Sequence, residues 1–72
     1  MTIQELQAVY RAQPFRPFSL HLADGRRIRV DHPEWMAHSP QARTMVVYQE
    51  DGSLEIIDLL LIVSIHHENR QD

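Results

Sequence analysis

Five histidines, seven arginines, ten carboxylates and a few hydroxyl residues are the side chains with which this 72-residue chain could do chemistry. A metal site is the first chemistry to consider, because His32, His38, His66 and His67 might converge. Neighbouring residues of a strand point to opposite faces, however, so His66 and His67 cannot easily grip one ion. There is no cysteine to add a thiolate ligand. No metal site and no cofactor are expected: His21 reads as a residue on the outer face of a strand and the other four histidines as solvent-exposed. For nucleophilic catalysis the candidates are Ser19, Ser39, Ser53, Ser64 and the threonines, and none lies in a Gly-x-Ser-x-Gly elbow or beside an identifiable base. The two glycines both belong to Asp-Gly turns, which leaves no glycine-rich loop to cradle a phosphate. Asp31 and Glu34 fit a bend that they solvate and cap better than an acid–base pair. The expectation is a protein that is not an enzyme.

The arginines are the best candidates for binding an anion. Arg27 and Arg29 share one face of a predicted strand, Arg26 stands at its entry, and Arg16 lies in the segment before it; the competing reading is a solvated arginine face. Residues 1–30 carry a balance of +3 and residues 31–72 one of −6, for a net charge of −3. Segregated in space, these charges would make one basic and one acidic face, suited to head-to-tail contacts or to an anionic ligand; paired across a sheet, they would cancel. Nucleic acid is a possible partner but not the favoured one, because the overall balance is acidic and only Tyr10 and Tyr48 could stack on bases. Trp35 is either a lid on the core or an exposed anchor. With Tyr48 and Leu60 it completes the candidate contacts for a partner or a second copy.

One domain, residues 1–72, must position these groups. Thr2 and Glu5 form a T-x-x-E capping box, and Ile3, Leu6, Val9 and Tyr10 follow at spacings of three and four, which predicts a helix over about 3–12. Pro14 and Pro17 forbid its continuation. From Phe18 the period changes to two, with Phe18, Leu20 and Leu22 inward, and Asp24-Gly25 predicts a two-residue hairpin turn with positive φ at both positions. Arg26 to Val30 is the return strand. Pro33 interrupts the ladder in a bend or helical turn over 32–36. A second hairpin follows, Arg43 to Tyr48 and Ser53 to Ile57, around Asp51-Gly52. Asp58 caps a single turn through Leu60, and Leu61 to His66 is a last strand or, since its apolar run has no decisive period, part of a helix. The tail 67–72 is expected to fray. The predicted class is mainly β with an N-terminal α-helix: a small five-stranded antiparallel barrel or bent sheet.

That order, with the hairpin Leu20-His21-Leu22-Ala23-Asp24-Gly25, resembles the Sm-like fold, a small SH3-like barrel that bacterial RNA-chaperone rings also use. Pro14 to Phe18, Asp24-Gly25-Arg26, His32-Pro33-Glu34 and Glu55 to Leu60 are similar to a group of short bacterial proteins with no assigned activity. The resemblance implies an oligomeric ring. In its RNA-binding members a cationic motif with an aromatic or histidine precedes the last strand and meets RNA in the pore. Here that junction is Ile57-Asp58-Leu59-Leu60, and an aspartate repels phosphate.

Neither a signal or transit peptide nor an apolar run long enough to span a bilayer is evident, so the expected location is the cytoplasm, without membrane association. A chain this short buries a modest fraction of its surface and has no disulfide to help it. The expected function is therefore a non-catalytic module that self-associates through strand edges and apolar side chains near Val46-Val47-Tyr48 and Leu59-Leu60-Leu61. The alternative is an Sm-like RNA- or DNA-binding ring that uses the arginine strand.

Overall fold

A computed structural model describes residues 1–41 and 43–67. Helix α1 spans Ile3–Tyr10 and opens on the expected capping box: the Thr2 hydroxyl accepts from the Glu5 N–H at 3.1 Å, and Glu5 Oε1 accepts from the Thr2 N–H at 2.9 Å. It ends two residues earlier than the apolar spacing predicts, where the Arg11 N–H closes the last turn on the Gln7 carbonyl. Leu6 is fully buried, and Ile3, Val9 and Tyr10 lean on the same core. Phe15 then meets Phe18 edge-on at 5.9 Å, which ties the proline-rich connector to the first strand.

Six strands follow, not five: β1 Phe18–Leu22, β2 Arg27–Val30, β3 Met36–His38, β4 Thr44–Tyr48, β5 Leu54–Asp58 and β6 Ile62–His67. They form two three-stranded antiparallel sheets, β2-β1-β6 and β3-β4-β5, so the structure is not a closed barrel. The extra strand arises at Pro33. A 3₁₀ turn over Pro33–Trp35 ends the β2 ladder, and Met36, Ala37 and His38 then pair with Val47, Val46 and Met45 in the other sheet. The two sheets pack their inner faces together. Phe18, Leu20, Leu22, Ile28 and Val30 come from one; Met36, Met45, Val47 and Ile57 from the other. Among the described residues no polar or charged side chain is buried in this core.

The hairpin turns differ from the two-residue form. Leu22 N–H donates to Arg26 O at 2.9 Å and Gly25 N–H to Leu22 O at 3.0 Å, so the loop is three residues, Ala23 to Gly25; Gln49, Ser53 and Gly52 repeat the pattern at 2.8 and 3.0 Å. In this geometry the third loop residue takes the left-handed conformation, and Gly25 and Gly52 do so at φ 92° and 89°. The aspartates serve the turn differently: Asp24 and Asp51 each accept the backbone N–H two residues on, from Arg26 and Ser53.

At the far end, Asp58 caps a 3₁₀ turn over Leu59–Leu61 by accepting from the Leu60 N–H at 2.9 Å, as expected. The following segment is a strand rather than a helix, and it begins one residue later than predicted because Leu61 belongs to the turn. A bulge where β6 meets Leu22 pushes Val63 out of the ladder. His67 is the last residue of β6, and the rest of the predicted frayed tail lies outside the described residues.

Three exposed carboxyls sit below the usual acid range: Glu5 through hydrogen bonds from the Thr2 backbone and then its side chain, Asp24 through the Arg26 backbone N–H, and Asp51 through the Ser53 hydroxyl and then its backbone N–H. A carboxyl whose native pKa is depressed contributes stability above its unfolded pKa, near 4, and loses it as pH falls through the native value. Denaturation midpoints should therefore drop between about pH 6 and pH 3. Thr2→Ala should cost about 1 kcal/mol at neutral pH and make the remaining acid sensitivity smaller, measured by urea titration at both pH values.

Candidate interaction surface

Strands β4 and β5 carry apolar residues on both faces. Met45, Val47 and Ile57 turn inward to the core, while register sets Val46 opposite Ile56 and Tyr48 opposite Leu54 on the outer face, with Ala37 of β3 beside Val46. Ile56 is 65% exposed, Tyr48 50% and Leu54 47%. Leu60 (69%), Leu61 and Val63 extend the exposed apolar series through the 3₁₀ turn into β6. Two-sided apolar strands belong to sheets covered on both sides. Among the described residues, only the inner side is covered.

Of the predicted contact residues, Tyr48 and Leu60 thus stand on or beside this surface. Leu54, Ile56 and Val63 are not among the predicted contact residues. The signal was present in Leu54-x-Ile56, which alternates against the inward Ile57, and which pairs with Val46-x-Tyr48 only once the hairpin register is known. Trp35 is neither a sealed lid nor a free anchor. It is half-buried at the end of the 3₁₀ turn, its indole 4.4 Å from the His32 ring, and it lines an open groove of about 480 Å³ with Arg29, Asp31, Tyr48, Gln49 and Glu55. The Gln49 amide nitrogen is buried and has no hydrogen-bond partner among the described residues.

The arginines are dispersed rather than gathered. Arg27 and Arg29 lie on the outer face of β2, as expected. Arg26 is held in the turn by Asp24 at 2.8 Å and faces Glu55 of the other sheet at 3.5 Å, and Arg29 is paired with Asp31. Arg16 precedes Phe18, whose ladder partner is Val30, and so lies at the opposite end of the hairpin from Arg26. The charge asymmetry is therefore relieved by short-range pairs and, between residues 1–30 and 31–72, by Arg29 with Asp31 and Arg26 with Glu55, and Arg43 approaches Asp58 at 3.9 Å across the second hairpin.

His21 lies on the outer face of β1 as expected, its ring stacked on that of His66 at 4.0 Å. His38 corrects the expectation of an exposed ring: it is half-buried, with the Gln7 amide 3.1 Å from Nε2 and the Ser39 carbonyl 2.9 Å from Nδ1. His66 and His67 fall on opposite faces, opposite Ser19 and Phe18. No three metal-ligating groups converge among the described residues. Two candidate nucleophiles serve turns: the Ser39 hydroxyl accepts from the Arg43 and Thr44 N–H groups, and that of Ser53 donates to Asp51 at 2.6 Å. No helix among the described residues is long and apolar enough to cross a membrane.

Comparison with protein-family models, with curated proteins and with solved structures found no match.

Proposed function

We propose that the chain is a non-catalytic module that self-associates through the outer face of β3-β4-β5 and the adjoining turn at Leu59–Leu61. The observation that carries this is the exposed block of Tyr48, Leu54 and Ile56 on strands whose other face is already the core. Fully burying an aliphatic side chain is worth about 1.5–3 kcal/mol, so covering three or four such groups favours association against its entropy cost. A standard interface takes about 800 Å² from each partner, roughly a sixth of the 4958 Å² that the chain exposes. Among the described residues the four edge strands β2, β6, β3 and β5 each have one side without a strand neighbour, which adds main-chain pairing as a second means of contact. The Sm-like resemblance makes the proposed assembly cyclic, built from head-to-tail contacts. The arginine strand serves the alternative, nucleic-acid reading less well, since Arg26 and Arg29 already have carboxylate partners.

Sedimentation equilibrium at micromolar concentration tests the proposal. The expected result is a species whose mass is a multiple of 8.5 kDa and which dissociates on dilution. A monodisperse 8.5 kDa monomer across that range overturns it.

A further inference from the structure

The outer face of the β2-β1-β6 sheet has a different chemistry from the apolar one. Register sets Arg29, Ser19 and His66 side by side in one row and Arg27, His21 and Ser64 in the next. The His21 and His66 rings bridge the rows in a nearly parallel stack, 4.0 Å between centroids and 17° between planes. Rows two residues apart are separated by about 6.7 Å and strands by about 4.8 Å. Four nitrogen-bearing cationic or protonatable groups therefore surround a flat area of about 7 by 10 Å with two hydroxyls between them.

The neighbouring charges are few. Asp31 holds Arg29 just beyond β2, Asp24 and Glu55 hold Arg26 at the turn, and neither β1 nor β6 contributes a carboxylate. Partial burial, then His66 and then Arg27 keep His21 below the ordinary histidine range. Another positive charge on this face is therefore unfavourable unless a negative one accompanies it. An open face without an enclosing wall gives a small monovalent ion too few contacts, whereas a compact polyanion collects several. The histidine rings are already stacked on each other, and no other aromatic side chain projects from these rows to take a nucleobase.

We propose that this face binds an inorganic polyphosphate-type anion through Arg27, His21 and His66, more tightly at acid pH. The site is on the outer face of the other sheet and shares only the edge strand β6 with the proposed self-association, so the apolar face and the polyphosphate site can be tested separately.

The probe is medium-chain inorganic polyphosphate, whose internal phosphates keep their charge across the range, titrated into the full chain by calorimetry at low salt. Affinity should rise at least about threefold between about pH 7.5 and pH 5.5, because a bound polyanion offsets the repulsion that holds the His21 ring neutral. His21→Gln with His66→Gln should abolish that rise. Arg27→Gln should weaken binding at both pH values. His32→Gln with His67→Gln removes the same charge elsewhere and should leave the rise intact; its loss there would reduce the effect to net charge and overturn the proposal. In the unmodified protein, the NMR signals of the His21 ring should titrate at higher pH when polyphosphate is present, and unmoved signals at saturation also refute the site. Tighter binding of an oligothymidylate of equal charge would overturn the assignment to polyphosphate.

Discussion

Phe18→Ala should leave most of the chain unfolded at room temperature. Phe18 is fully buried, belongs to both ladders of its sheet through Val30 and His67, and carries the ring that Phe15 and His67 meet edge-on. Removing a buried phenylalanine ring costs about 3–5 kcal/mol, because the cavity adds to the lost transfer energy. Typical stabilities of about 0.05–0.15 kcal/mol per residue give a chain of this length about 4–11 kcal/mol, and small domains lie toward the lower end. The loss is thus comparable to the whole. Far-ultraviolet circular dichroism in water should show loss of β signal, whereas Phe18→Leu should retain the fold with a lower urea midpoint. A cooperative transition for the alanine variant within about 1 kcal/mol of the parent would contradict the central place given to this ring.

The second large effect concerns association rather than folding. Ile56→Asp combined with Leu60→Asp should raise the dissociation constant of the assembly at least a hundredfold, roughly 3 kcal/mol, since each tenfold is 1.4 kcal/mol and each charge must be desolvated against an apolar partner. Both side chains are more than half exposed and neither belongs to the core, so the monomer should keep its dichroism spectrum and its unfolding midpoint. Tyr48→Ala should act in the same direction more weakly. An unchanged mass for the double variant at micromolar concentration would remove this face from the interface.

Much of the local structure was legible because single residues with one physical role mark it. Thr2 and Glu5 announce the helix start, the alternation of Phe18, Leu20 and Leu22 announces a half-buried strand, and Asp58 announces its cap. Strand β3 was not legible: three residues behind a proline are too few to show a period, and their pairing with Met45 to Val47 is a tertiary event. The turn type was misjudged because Asp-Gly serves both a two-residue loop and the last two positions of a three-residue one, and only the hydrogen bonds to Leu22 and Gln49 distinguish them. The outer apolar face was only half visible. Val46, Tyr48 and Leu60 could be suspected individually, but Ile56 and Leu54 join them through register, which no local spacing encodes. The stacking of His21 on His66 likewise depends on two residues 45 positions apart meeting across β1 and β6.

That same pairing orders the events by which the chain folds. The β1–β2 and β4–β5 hairpins each close over a three-residue loop, a local search of about 1–10 μs, and each can form before the other. The ladder that sets Phe18 against His67 joins residues 49 positions apart, and its loop-closure entropy is recovered only after the intervening elements have shortened the distance. Synthesis from the amino end presents β1 before β2 and long before β6, so during translation the edge of β1 that β6 will cover stays open until residues 62–67 have emerged.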